Sequence, residues 1–85
     1  MKIYALKDNK LGFMNPMALQ NDELAIRAYS NMINANDGSM VSVNCEDFDL
    51  YCLGDYNQDS GVISSEVRFL ANSVNVKRPA HKSKK

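Results

Sequence analysis

Residues 21–36 carry the clearest helical repeat in the chain, and everything else must fold around it. Ala25, Ile26, Ala28, Tyr29, Met32 and Ile33 recur at helical spacing and make one apolar stripe. Arg27, Ser30, Asn31 and Asn34 take the other face. Asn21 or Asp22 supplies an N-cap, and Asp22 and Glu23 sit where the helix dipole favours negative charge. Asn36-Asp37-Gly38 ends the helix, with Gly38 free to take a left-handed conformation. A lone amphipathic helix cannot bury its own stripe. The remaining chain must supply the layer that covers it.

The remaining chain reads mostly as strands. Residues 2–7 alternate weakly and hold Ile3, Tyr4 and Leu6. Residues 48–56 alternate clearly: Phe48, Leu50 and Cys52 share one face, and Asp49, Tyr51 and Leu53 share the other. Residues 56–61 are rich in turn formers, and Val62-Ile63 begins a return strand over 61–64, so a hairpin is expected. Residues 66–70 read as an edge strand or one helical turn, and Val74 and Val76 extend the sheet in this reading, which places strand over 67–76. Residues 8–20 are expected to be a loop. Phe13, Met14, Met17 and Leu19 give that loop reason to pack on the body or on a partner. Residues 39–47 are expected to be loop with a short strand at most. The fold class is therefore α+β: a small, mainly antiparallel sheet packed on one helix.

With 85 residues the chain is one domain. Such a chain buries only about 60–65% of its unfolded surface. Catalytic barrels, doubly wound cofactor folds and kinases need far more chain. A homodimer is expected, because it would cover apolar residues such as Phe13, Met14 and Leu53 that a single helix leaves exposed. No apolar run approaches the roughly 20 residues of a membrane span. The first residues lack the apolar region of a signal peptide.

Charge divides the chain in two. Residues 1–76 hold five bases against ten acids, a net of −5, while residues 77–85 hold Lys77, Arg78, Lys82, Lys84 and Lys85, a net of +5. The zero total hides an acidic body, 1–76, and a basic tail, 77–85, whose composition is that of a disordered segment. A basic arm holds a polyanion by releasing counterions at each phosphate, or it serves only to keep the chain soluble. Aromatic side chains beside bases are the second nucleic-acid signal, because any base can stack on them. Tyr4, Tyr51, Tyr56 and Phe69 are the stacking candidates in the body, near Lys2, Lys7, Arg68 and the basic tail, and Tyr51, Tyr56 and Arg68 join the tail in the expected site. Core or dimer contacts are the plainer reading of the aromatics.

Other chemistries are poorly supplied. The two cysteines, Cys45 and Cys52, are too few for a disulfide framework and too far apart for a CxxC pair, so both read as reduced thiols in a cytosolic compartment. With His81 the only histidine, a zinc site lacks ligands and a Cys–His nucleophile lacks a base. Asp55, Asn57, Asp59 and Glu66 stand at the first, third, fifth and twelfth positions of a calcium-loop count, but Ser60 occupies the sixth, where the sharp turn needs glycine. A hairpin turn held by Asx side chains is the simpler account. The four glycines are scattered singly, so no phosphate-cradling loop is present. Glu46, Asp47 and Asp49 read as a solvated strand entrance. No enzyme, cofactor or metal site is expected.

Four segments, in order, resemble the small nonstructural protein of gokushoviruses, single-stranded DNA bacteriophages of the Microviridae, a family often labelled DNA-binding. Lys2-Ile3-Tyr4 opens the chain. Asn21-Asp22-Glu23-Leu24-Ala25-Ile26-Arg27-Ala28-Tyr29 is similar to the family's ND-x-x-A-x-R-x-F helix start. Glu46 to Tyr56 is similar to its D-[YF]-x-L-Y-x-[IL]-G-x-[FY] strand. Ser60-Gly61 and Glu66 to Asn72 complete the set. The chain departs from the pattern at Tyr29, where the family often has Phe, and at Pro16-Met17, where it more often has Pro-Phe. The resemblance spans roughly residues 1–78. It implies a non-enzymatic phage protein of the host bacterial cytoplasm that assists single-stranded DNA replication and packaging. Single-stranded DNA is then the expected partner. The alternative is an adaptor that recruits phage replication, procapsid or host proteins without touching DNA.

Overall fold

Strand β4, Phe48–Tyr56, runs through the middle of the fold and organises the rest. The computed structural model describes residues 1–78. On one side β4 pairs antiparallel with β1, Lys2–Asp8; on the other it pairs antiparallel with β5, Ile63–Ala71. Two short strands, β2 (Gly12–Phe13) and β3 (Met17–Leu19), share the outer edge of β1, giving the order β2/β3, β1, β4, β5. Helix α1, Asp22–Ile33, covers one face.

The alternation along β4 decides which side chains meet the helix. Phe48, Leu50 and Cys52 are buried with Tyr4 and Leu6 of β1, against Ala25, Tyr29 and Ile33 of α1. The apolar stripe of the helix is thus core. Burying the Tyr29 ring strands its hydroxyl, which donates to the Phe48 carbonyl and ties α1 to the start of β4. Burial pushes the Tyr29 phenol pKa up, and nearby Asp49 adds to the shift. Asn21 caps α1 by accepting from the Leu24 amide at 2.9 Å.

Several boundaries differ from the sequence expectation. The expected loop 8–20 contains the last residue of β1 and both short edge strands. The outer edge of β1 carries backbone groups that need partners, and Met14 donates its amide to the Leu6 carbonyl at 2.8 Å. Helix α1 stops at Ile33 rather than near residue 36. Asn34 folds its side chain back onto the Ser30 carbonyl at 2.8 Å, and Asn36 adopts φ 54°. Residues 39–47 contain no strand: they form α2, Met40–Val43, and a 3-10 turn, Cys45–Asp47. Ser39 caps α2, accepting from the Ser42 amide at 3.3 Å.

The return strand is one continuous nine-residue element rather than the two pieces 61–64 and 67–76. Val74 and Val76 do not extend it. They lie in α3, Ser73–Val76, which Asn72 and Asn75 close with a reciprocal capping box. Two register irregularities, between Leu50 and Tyr51 and between Cys52 and Gly54, let β5 fit β4. Gly54 sits in the second, with φ 153°, and a Cβ there would lie 2.1 Å from the Ser64 carbonyl oxygen.

Candidate nucleic-acid interface

With Leu50 and Cys52 turned toward α1, Tyr51 must point to the opposite face of the sheet. No helix of the described residues covers that face. In register, Phe69 of β5 pairs with Tyr51, and Phe13 of β2 reaches it across β1. The result is a row of three rings across four strands. The centroids of Phe13 and Tyr51 are 5.3 Å apart and those of Tyr51 and Phe69 are 5.7 Å apart, with planes at 80° and 81°. Edge-to-face contact is a favourable aromatic geometry, and it leaves more ring face open than a stacked row would. Phe13 and Phe69 are 48% and 49% exposed, so the ends of the row meet solvent.

Lys7 belongs to the same face. Its ammonium stands 5.7 Å from the Phe13 centroid and 5.9 Å from that of Tyr51, within cation–π range of both. Ala5, fully buried, pairs with Tyr51 and forms the floor beneath the ring. Val67, 59% exposed, extends the apolar surface along β5. Asp49 is directly across from Lys7 in the β1–β4 register and brings an acid to the same end.

The structure separates the residues that the sequence grouped. Arg68 pairs with Cys52, so it lies on the α1 side of the sheet, away from Tyr51. Its Nη2 donates to both carboxylate oxygens of Asp22, at 3.3 and 3.0 Å. Tyr4 donates its hydroxyl to the same carboxylate at 2.7 Å. The Tyr4 hydrogen bond and the Arg68 guanidinium hold the Asp22 carboxyl below its ordinary pKa. Tyr56 is half-buried at the far end of β4, in an open groove of about 500 Å3 that Met1, Asp55 and Asp59 also line.

Lys77 and Arg78, both exposed, follow α3 on the helix side of the sheet. Lys77 reaches the Cys45 sulfur at 3.5 Å, and the Arg78 amide donates to the Asn34 side chain at 2.8 Å. Lys82, Lys84 and Lys85 lie outside the described residues. Phe69 is among the aromatic candidates of the sequence; Phe13 is the member of the row that the sequence does not mark for stacking. Phe13 fell in an expected loop, and only the β2–β1–β4 order brings it to Tyr51.

The acidic turn is occupied by its own backbone. The Asn57 side-chain oxygen accepts from the Asp59 amide at 2.9 Å and the Ser60 amide at 3.1 Å. Asp55 pairs with Lys2 at 2.9 Å, and Glu66 lies on β5. Among the described residues no group of three or more His, Cys, Asp or Glu side chains is placed to share a metal ion. Both cysteines are free and buried. No helix of the described residues is long and apolar enough to cross a membrane.

A family model described as Phage ORF5 protein matches residues 1–76. The chain belongs to the Phage ORF5 family. That makes it a member of a family of bacteriophage proteins, and the matched span includes every strand and helix described above, from β1 to α3. No curated protein and no solved structure matches it.

Proposed function

We propose that this Phage ORF5 protein is a non-enzymatic accessory that binds single-stranded DNA during replication and packaging of a microvirus-type genome, in the host cytoplasm. The observation that carries the reading is the exposed row Phe13–Tyr51–Phe69 with Lys7 set against two of its rings. Such a row offers π faces to unpaired bases of any sequence, and the ammonium is within reach of their phosphates. Duplex DNA keeps its bases stacked inside and offers nothing to the rings. The basic run from Lys77 to Lys85 supplies the phosphate contacts that an acidic body lacks.

The test is binding of labelled single-stranded and duplex DNA across a salt series. Single-strand binding with a log–log salt slope of about −0.7 per phosphate contacted, and tighter than duplex binding, is the expected result. Absence of single-strand binding at low salt would rule the reading out.

One observation favours the adaptor reading instead. Leu6, Met14, Met17, Met32 and Val41 line a largely apolar groove of about 360 Å3 on the helix side. Methionine-rich surfaces adapt to apolar side chains of many shapes. A chain that binds no DNA but carries a protein partner in this groove would fit that reading.

A further inference from the structure

Asp49 and Tyr51 share the uncovered face of β4, two residues apart and so about 7 Å along the strand. Lys7 is directly opposite Asp49 on β1, and its ammonium is 5.7 Å from the Phe13 centroid and 5.9 Å from that of Tyr51. The two charges face each other in register, yet no ion pair within 4.0 Å joins them. Asn9 donates its side-chain amide to one Asp49 oxygen at 3.4 Å, a long contact that orients the carboxylate and leaves it room for further donors. One flank of the ring row thus presents a cationic donor beside an anionic acceptor.

We infer that Asp49 and Lys7 read the edge of a base stacked on the row, and that the base they favour is guanine. This rests on the proposed single-strand binding and deepens it. Stacking alone accepts every base, because every base has a π face. The edges differ. An unpaired guanine shows its O6 acceptor beside the N1–H and N2–H donors. The two donors match the two oxygens of one carboxylate, and O6 matches the ammonium. Thymine shows a single N–H between two carbonyls, and both carbonyl oxygens repel a carboxylate that approaches it. Adenine and cytosine each offer one amino group and rank between. The carboxylate and the ammonium both make charge-assisted hydrogen bonds, which are stronger than neutral ones and so carry more discrimination. Asp49 therefore repels phosphate on any strand and repays that repulsion only where guanine is present.

The experiment titrates the full chain into three labelled strands of about 12 nucleotides, read by anisotropy in a lithium salt that does not support guanine quadruplexes. One strand is all thymine. The second alternates thymine with guanine. The third alternates thymine with hypoxanthine, which keeps O6 and N1–H and lacks the N2 amino group. The guanine strand should bind about fivefold tighter than the all-thymine strand, with the hypoxanthine strand between them. Asp49→Asn should cut the guanine preference below about twofold and tighten binding to the all-thymine strand. Equal affinity of wild type for all three strands would overturn the guanine reading and leave single-strand binding standing. Hypoxanthine binding as tightly as guanine would overturn the two-donor contact. A preference unchanged in Asp49→Asn would assign it to the larger stacking area of a purine and overturn the role of the carboxylate. No binding of any strand at low salt would overturn both the proposed function and this inference.

Discussion

Arg68 grips Asp22 across 46 residues of sequence, bringing β5 against the first turn of α1. The pair is part-exposed and shares its carboxylate with Tyr4, so it is a small structural tie rather than a free cation. Arg68→Ala should lower stability only slightly, because solvent screens the exposed pair. It should leave the salt slope of DNA binding unchanged, because a guanidinium paired to a carboxylate releases no counterion from DNA. A denaturant melt and a salt series on the same variant check both halves. A slope that falls with Arg68→Ala would return this residue to the interface.

The same carboxylate gives a pH signature. Asp22 has its pKa depressed in the folded chain, so its contribution to stability is present above the unfolded value of about 4 and is lost as pH falls through the lower folded value. Wild type should exceed Asp22→Asn in stability at neutral pH. The gap should close as the solution is acidified below about pH 4. Paired urea melts at several pH values would show it; a gap constant across that range would contradict the assignment.

Gly54→Ala should destabilise by about 2 kcal/mol or more, since its Cβ would meet the Ser64 carbonyl oxygen on the paired strand at 2.1 Å. The loss is expected in thermal melting. A near-neutral change would mean that the β4–β5 irregularity relaxes freely.

Lys7 and Asp49 should act in opposite directions on DNA. Lys7→Ala should weaken single-strand binding and reduce the salt slope by about 0.7, the value for one phosphate. Asp49→Asn should strengthen binding by removing a like charge at the same end of the row. Titrations of both variants with an all-thymine strand across a salt series check this, and two affinity shifts of the same sign would contradict the arrangement.

Much of the fold was legible because its periodicity is strong. The alternation over 48–56 marked β4 at both ends and assigned Phe48, Leu50 and Cys52 to the core. The stripe over 25–33 found the buried face of α1. The misses have a common cause. Residues 12–13 and 17–19 pair only because β1 leaves an edge to satisfy, and so short a strand has no period to read. The helical turns over 40–47 and 73–76 are set by caps, Ser39 and Asn72, rather than by apolar spacing. The site was half visible. Alternation placed Tyr51 away from the core, but joining Phe13 and Phe69 to it required the strand order. The pairing of Arg68 with Asp22 was not legible, because 46 residues separate them in sequence.

The most direct measurement is the affinity of the Phe13→Ala, Tyr51→Ala, Phe69→Ala triple variant for single-stranded DNA, beside wild type, with thermal melting of each. Loss of the stacking surface should weaken binding by about 2 kcal/mol or more, roughly thirtyfold, in a chain that still melts cooperatively. Equal affinity in a folded triple variant would show that the ring row is not where this protein meets DNA.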